Sequence, residues 1–288
     1  TSTVVGNGSL RVKPLVACVR LALSGGMALF STASVWANES LPVPADVLAS
    51  SGRASVAIDG ARMQVDQQSE RAILNWKSFN IGKDQSVRFQ QPGSTSIALN
   101  RIAQQDPSRI LGELKANGQV YLVNANGFVF GKDSKVDVRG LTASTLNVSD
   151  ETFEQGVTKV FSNNGSEAFS GSGEVYQKNA DGSDRRDEQG NKIKTEIRIE
   201  KGAQIQSHEG QNILIIAPSI TNEGDIRADD RQVVLAAATD KVYLQEAGND
   251  GLLVEVKTGG DVNNLGNIVA KRGNVNLADD QQKLKKAQ

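Results

Sequence analysis

The stretch that decides the fold is residues 118–131, GQVYLVNANGFVFG, in which two short apolar runs flank an asparagine-glycine turn. The turn, residues 124–127, contains residue types that tolerate positive φ, and an Asn side chain can bond the backbone two residues later. Apolar runs ending in Asn or Gly recur farther along the chain at a nearly constant interval. The stretch is therefore predicted to form one corner of a repetitive β-coil.

The repeat is clearest in residues 201–278, where equivalent apolar residues recur in two sets. The anchor residues are Ile205, Ile226 and Ile268 in the first set and Ile213, Val233 and Val275 in the second. The steps within these sets are 21 or 20 residues and then 42 residues. The step of 42 is interpreted as two intervals of 21, with an intermediate turn near residues 251–256.

Short strands with Gly, Asn and Asp corners at this period predict an all-β fold, a right-handed parallel β-helix in which each repeat forms one rung. The composition agrees, because 28 glycines and only 5% aromatic residues suit thin stacked rungs better than a wide core. Four asparagines are expected to form amide ladders along a corner: Asn222, Asn263, Asn264 and Asn267. The alternative fold is a β-sandwich, although sandwich strands need not keep a 21-residue repeat.

The chain before the repeats is predicted to form an N-terminal β cap over about residues 41–100. Apolar and polar residues alternate through residues 54–66 around Asp59 and Gly60, which is a hairpin signal. Aromatic residues such as Trp76 concentrate in this region. Such a cap would cover an edge that otherwise invites pairing with other chains.

Three segments depart from the strand pattern. Asp106 as N-cap and Pro107 at the first helical position predict a short helix over residues 107–114. Residues 162–190 are polar and predict an inserted hairpin or loop, while residues 279–288 read as a polar tail or a truncation. Acidic residues of the insertion are weighed as a calcium site: Glu174, Asp181, Asp184, Asp187 and Glu188. Their spacing does not match the known loop, so a solvated loop is favoured and neither a metal nor a cofactor is predicted.

The first 37 residues are predicted to be an extended signal peptide, with a buried helix as the alternative. Three basic residues precede a short run of small and apolar residues, and cleavage is expected after Ala37. The only cysteine, Cys18, lies in this leader. The rest of the chain carries 29 basic and 33 acidic residues without a basic patch, so nucleic acid is not a predicted partner.

Four motifs in order resemble the N-terminal secretion domain of two-partner secretion exoproteins, the family of filamentous haemagglutinin and the high-molecular-weight adhesins. They are residues 73–82 (ILNWKSFNIG), 98–102 (ALNRI), 106–112 (DPSRILG) and 117–127 (NGQVYLVNANG). The resemblance is dense over about residues 41–150 and looser through the repeats. It implies one module over residues 38–278, a capped β-helix without enzyme activity.

The resemblance also implies partners and a location. The chain would cross the inner membrane by the Sec translocon and enter the periplasm. There an outer-membrane two-partner transporter with periplasmic docking domains would recognise it unfolded. The product would be secreted, or held at the cell surface, by a Gram-negative bacterium. Host glycan or matrix is a further candidate partner. The role of the full exoprotein stays open among adhesin, cytolysin, iron-acquisition protein and contact-dependent toxin carrier.

Six residues match the motif positions that the resemblance implies for the secretion signal: Asn100, Arg101, Asn124, Ala125, Asn126 and Gly127. The family usually has Asn-Pro-Asn-Gly at the turn, and here Ala125 replaces the proline, which frees φ and restores an N–H. These residues would specify the signal either by contact with the transporter or by setting the fold. The alternative is that they are ordinary turn and corner residues.

Two other functional classes are weighed. Parallel β-helices include polysaccharide lyases and hydrolases, and the best acid–base candidates are Asp225, Asp229 and Asp230 near Arg227 and Arg231. Fold analogy is weak support for catalysis, so no catalytic residue is predicted. His208 is expected to be a surface histidine rather than a ligand or base. The remaining class is an adhesin that binds glycan or matrix directly on its β-faces.

Overall fold

The computed structural model describes residues 41–208, 211–247, 251–271 and 273–278. The predicted signal peptide lies outside the described residues, together with Cys18 and the expected cleavage point after Ala37. The polar tail at 279–288 lies outside them as well. Within these ranges, no helix has the length and apolar character needed to cross a membrane.

Twelve strands precede the two helices in the described chain. They are β1 (Val43–Ser51), β2 (Ala54–Asp59), β3 (Arg62–Gln67), β4 (Arg71–Ser78), β5 (Ser86–Gln90), β6 (Ile97–Ile102), β7 (Ser108–Ile110), β8 (Glu113–Ala116), β9 (Gln119–Val123), β10 (Phe128–Phe130), β11 (Lys135–Val138) and β12 (Gly140–Ser144). The helices are α1 (Asp150–Gln155) and α2 (Val160–Asn164).

Twelve further strands follow the helices. They are β13 (Phe169–Ser170), β14 (Glu196–Ile199), β15 (Gln204–Ser207), β16 (Ile213–Ala217), β17 (Ser219–Asn222), β18 (Asp225–Ala228), β19 (Val233–Ala237), β20 (Lys241–Ala247), β21 (Gly251–Val256), β22 (Asp261–Asn264), β23 (Asn267–Ala270) and β24 (Val275–Ala278).

Three long sheets form the sides of a parallel β-helix, which confirms the predicted fold class. In spatial order, sheet A is β1-β4-β6-β9-β12-β16-β19-β24, sheet B is β2-β3-β5-β8-β11-β15-β18-β23, and sheet C is β22-β17-β14-β10-β7. Each rung passes from sheet C through sheet B to sheet A, as in β7, β8 and β9. The next rung then stacks on it in parallel, which buries an apolar face that one rung could not bury alone.

The stretch at 118–131 forms the corner that the sequence predicts. Strand β9 belongs to sheet A and β10 to sheet C, so the turn between them changes sheets and does not close a hairpin. Val120 pairs with Leu141 of the next rung, and Phe128 with Ile197. The two apolar runs therefore line two sides of one coil.

The anchors of the repeat are stacked neighbours. Ile205 pairs with Ile226, and Ile226 with Ile268. The interpretation of the 42-residue step as two rungs is wrong, because those last two residues lie on adjacent rungs. The predicted intermediate turn is strand β21, which pairs antiparallel with β20 outside the coil. A pair of short strands and a rung use similar lengths of alternating sequence, so the period alone does not separate them.

The predicted helix over 107–114 is also wrong. Strand β7 pairs with β10, β8 pairs with β5 and β11, and a corner at Gly112 separates β7 from β8. A Cβ at Gly112 would overlap the backbone of the preceding rung, so the chain packs there too closely for a helix. Ile110 and Leu114 fill the interior of the coil. Stacking on two neighbours outweighs a local capping signal.

The cap has the predicted hairpin. Strands β2 and β3 pair antiparallel through Asp59 and Arg62, and Gly60 takes the positive φ of 56° that the turn requires. Strand β1 pairs antiparallel with β4 and forms the first strand of sheet A, as β2 does for sheet B. The rings of Trp76 and Phe79 meet edge to face at 5.2 Å between centroids, inside the first turn of the coil.

Two segments leave the coil and cover the outer face of sheet A. The first lies between β12 and β14 and contains α1, α2 and β13; the predicted insertion at 162–190 falls within it. The second is the β20–β21 hairpin, and β13 pairs with β20 to join the two as sheet D. Phe153 and Phe169 are completely buried in the resulting second core. Sheet A is therefore covered on both faces along its middle strands, and β12, β16 and β19 are buried at every residue.

One of the expected asparagine ladders is present. The Nδ2 atom of Asn222 donates to Oδ1 of Asn264 on the next rung at 2.8 Å. Asn263 and Asn267 pair in register with Thr221 and Asp225 instead, so they do not extend that ladder.

Candidate functional site

Asn124 organises the corner at residues 124–127. Its side chain is fully buried, and Nδ2 donates to Ser108 Oγ at 3.0 Å and to the Asp106 carbonyl at 3.2 Å. Its Oδ1 accepts from the Asn126 N–H at 2.9 Å, and its carbonyl accepts from the Gly127 N–H at 3.0 Å. One asparagine thus closes its own turn and fastens it to the preceding rung.

Gly127 occupies a position that only glycine fits. Its φ is 101°, and a Cβ there would overlap the carbonyl oxygen of Glu196 on the next rung. Its carbonyl accepts a 3.0 Å hydrogen bond from the Ser108 N–H on the preceding rung. The corner is therefore packed against backbone on both sides.

The other two corner residues face outward. Ala125 is exposed and Asn126 is half-buried, with Nδ2 donating to the Gln104 carbonyl at 2.9 Å. The 124–127 turn has a carbonyl-to-amide bond across four residues, and Asp133 is the only non-glycine residue with positive φ in the described ranges. Ala125 thus occupies the second position of a turn with negative φ at both central residues, which is the position that proline prefers.

Asn100 and Arg101 are neighbours that point to opposite faces of sheet A. The Asn100 side chain is fully buried inside the coil, where Oδ1 accepts from the Trp76 indole and Nδ2 donates to the carbonyls of Ala98 and Tyr121 at 3.1 Å. All of its hydrogen-bonding groups point into the fold.

Arg101 projects from the outer face towards the segment that begins α1. Its Nη2 donates to the Val148 carbonyl at 2.6 Å, and Nη1 forms an ion pair with Asp150. Its side chain retains 26% exposure. This arginine ties the second rung strand of sheet A to the first segment that leaves the coil.

The structure places the 100–101 pair and the 124–127 corner on adjacent rungs, but it does not bring the six residues into one exposed patch. Arg101 pairs in register with Val123, so Asn124 begins the corner one residue beyond that pair. Sequence reasoning missed two residues that support the corner, Asn80 and Gln104. Gln104 Oε1 accepts from the Phe79 N–H at 2.8 Å, and Asn80 Oδ1 accepts from the Arg109 N–H at 2.9 Å. The sequence signal that could have identified them is an Asn or Gln shortly after a sheet A strand, because Asn80 follows β4 and Gln104 follows β6.

One of the weighed acid–base residues, Asp229, belongs to an ion-pair network. Asp229 bonds Lys271 at 2.8 Å, Arg227 at 3.1 Å and His208 at 3.1 Å. Lys271, Arg227 and His208 hold the pKa of the Asp229 carboxyl well below its usual range. Asp229 therefore stays ionised and is a poor proton donor. Asp225 lies at the opposite end of strand β18.

His208 and the acidic residues of the insertion also have protein partners. His208 Nε2 lies 2.8 Å from Asp137 while Nδ1 faces Asp229, on the outer face of sheet B. Lys178 and Lys192 lower the pKa of Asp184 to about 2. Among the described residues, no group of three or more acidic, histidine or cysteine side chains has a geometry that would hold a metal ion.

The comparison that decides the family is a match to the model of the TPS secretion domain over residues 39–287. The chain belongs to this family. Its structure is similar to the HMW1 secretion domain from Haemophilus influenzae, with a TM-score of 0.60 and 28% identity, over 80% of this chain and 54% of that one.

Two curated relatives match part of this TPS secretion domain, and both are heme/hemopexin-binding proteins of Haemophilus influenzae. One is 39% identical over 97 residues, 34% of this chain, and the other is 40% identical over 87 residues, 30% of this chain. Those matches span 11% and 9% of the relatives' own lengths. The TPS secretion domain is the secretion-targeting module of a two-partner secretion exoprotein. In this family the partner is an outer-membrane transporter, and the exoprotein leaves a Gram-negative cell by this route.

Proposed function

We propose that this TPS domain directs a larger exoprotein to the periplasmic docking domains of its transporter and carries no enzyme activity of its own. The route would begin at the Sec translocon, with leader cleavage after Ala37, and pass through the periplasm. The lack of cysteine in residues 38–288 supports this proposal, because a chain without disulfides can be threaded through a pore after it reaches an oxidising compartment.

The six signal residues would act by specifying the fold, and not as a contact surface of the folded domain. The observation that carries this proposal is the burial of Asn100 and Asn124, whose amides bond only within the protein. Asn126 and Gly127 complete the same corner. Ala125 is the member of the set whose side chain is exposed. The module would cover residues 38–278, with the cap at about 41–100, the insertion at about 162–190 and rungs at about 201–278 that the β20–β21 hairpin interrupts.

The test is secretion from a Gram-negative host with and without the transporter, measured as the exported fraction alongside the free energy of unfolding of the purified domain. Ala125→Glu places a charge on the exposed position and should leave both quantities unchanged. Asn126→Ala removes the bond to the Gln104 carbonyl, so stability should fall by about 1 kcal/mol, and secretion should fall with it. Asn179→Ala, an exposed amide in the insertion, is the matched control.

A role through the fold and a role as a contact surface for the transporter predict opposite results for these variants. If the corner is a contact surface, Ala125→Glu blocks export, or Asn126→Ala lowers export without any change in stability. Either result contradicts a role through the fold. Release that does not depend on the transporter contradicts the targeting proposal itself.

The alternative function is a direct adhesin for host glycan or matrix, which a glycan array on residues 38–288 would test. The relatives named heme/hemopexin-binding proteins make iron acquisition one candidate for the full exoprotein. The ring nitrogens of His208 both face carboxylates, which disfavours haem ligation by the module itself.

A further inference from the structure

A cleft of about 420 Å³ opens on the outer face of sheet A, between the two segments that leave the coil. Its floor includes Gln119, Tyr121 and Thr142, which lie on strands β9 and β12. One wall is the connection between α1 and α2, and the other contains Glu246 and Ala247 of β20 and Gly251 and Leu252 of β21. The cleft is therefore formed only when both segments are folded against the coil.

The cleft is rich in positive charge. Arg71, Lys159 and Arg231 line it, and Glu246 is the one acidic residue among its described lining residues. Neither Arg71 nor Lys159 has a carboxylate partner in the part of the chain that the structure describes. Glu246 instead accepts a 2.7 Å hydrogen bond from the Thr158 hydroxyl across the top of the cleft. Among the described residues, an anionic group would therefore meet two cations there that no carboxylate contacts.

Arg71 is held in a fixed orientation. Its guanidinium lies over the Phe153 ring at 5.4 Å, and Nη1 donates to the Phe153 carbonyl at 2.8 Å. Its Nη2 faces Gly156, which itself lines the cleft. A guanidinium fixed in this way loses little conformational entropy when it receives a carboxylate.

Neutral polar groups complete the lining. The side-chain amides of Gln119, Gln211 and Asn212 are among the lining residues, and Asn212 Oδ1 is held by a 3.0 Å bond from the Gln232 N–H. The hydroxyl of Thr142 is buried and bonds that of Tyr121. Tyr121 is 8% exposed, and burial raises the pKa of its hydroxyl, which stays protonated at neutral pH. Side-chain amides beside an aromatic residue suit the hydroxyl groups of a sugar.

We propose that this cleft binds an acidic saccharide, whose carboxylate is received by Arg71 and Lys159 and whose hydroxyls bond the side-chain amides of the lining. The volume lies within the range of small-ligand sites and suits one or two sugar rings. Neither the transporter nor secretion is needed for this binding. The proposal therefore stands or falls independently of the targeting function.

The test is binding of glucuronic acid and N-acetylneuraminic acid to the purified chain, by ligand-observed NMR, with glucose as the neutral sugar of similar size. Both acids should bind saturably and more weakly at high salt, and glucose should not. Arg71→Gln and Lys159→Gln should each weaken binding about tenfold, the loss expected for one charge-assisted hydrogen bond. Lys83→Gln, an exposed lysine outside the cleft, should bind as the wild type does.

Lys159 is exposed and has no role in the core, so its variant keeps the test valid if Arg71→Gln fails to fold. Equal binding of glucose and the acids overturns the proposal. Wild-type affinity in Lys159→Gln and in folded Arg71→Gln overturns it as well. So does the absence of saturable binding by either acid up to about 10 mM.

Discussion

The indole Nε1–H of Trp76 donates a 2.9 Å hydrogen bond to Oδ1 of Asn100 inside the coil. Trp76 lies on cap strand β4 and Asn100 on β6, and the Asn100 Nδ2 also reaches the Tyr121 carbonyl on β9. A single buried amide therefore links the cap to the next two strands of sheet A.

Replacing Asn100 by Leu should lower the free energy of unfolding by about 3 kcal/mol. The change leaves the Trp76 indole and two buried carbonyls without their partner, and each unsatisfied buried group is costly. Urea denaturation at neutral pH measures the loss. Asn75→Ala is the control, since that half-buried amide makes only contacts of 3.4 and 3.5 Å to the β1 backbone. If the two variants lose equal amounts of unfolding free energy, the buried hydrogen bonds of Asn100 contribute no more than the weak contacts of Asn75.

Gly127→Ala should destabilise the domain by at least about 3 kcal/mol, because it adds a clash with the Glu196 carbonyl to the strain of a positive φ. Gly60→Ala provides the comparison at a positive φ of 56° with open space around the new methyl group. That variant should lose only about 1 kcal/mol. Thermal unfolding of both proteins checks the difference, and similar shifts would contradict close packing of the corner against the next rung.

Ala125→Pro, which restores the proline usual in the family, should stabilise the domain by about 0.5 kcal/mol. Proline fits the second position of this turn, and in the described structure the Ala125 N–H makes no hydrogen bond that would be lost. Ala125→Gly should shift stability by a similar amount in the opposite direction, because it increases the freedom of the unfolded chain. A melting temperature that falls with proline would show that the turn has a different backbone geometry.

Asp229→Asn should cost about 1 kcal/mol at pH 7, the size expected for an exposed ion-pair network. Because the folded pKa of Asp229 is depressed, its contribution is full above the ordinary carboxyl value of 3.8 and declines as the pH falls below it. The difference between variant and wild type should therefore narrow in acid. Denaturation at pH 7 and pH 3 measures this. The control is Asp84→Asn, at an exposed acid that forms no ion pair with any residue the structure describes. If the difference in unfolding free energy between variant and wild type is the same at pH 7 and pH 3, the ion pairs of Asp229 are not its source.

The sequence predicted more of the fold than of the candidate site. Alternating residues at 54–66 gave the hairpin at Gly60, because a turn and its two strands are specified locally. The corner at Asn124 was predicted for the same reason. The supporting role of Gln104 was not predicted, because its contacts with Phe79 and Asn126 join segments more than twenty residues apart.

The sequence by itself determined that this chain forms stacked β-rungs, since Ile205 and Ile226 repeat with the spacing of one turn of the coil. Only the tertiary structure decided that Ile226 and Ile268 are also direct neighbours, with the β20–β21 hairpin excluded from the coil. It likewise decided that β7 and β8 replace the helix expected at Pro107. A local pattern fixes which side of a strand is apolar. The identity of the strand that covers that side depends on packing between distant segments.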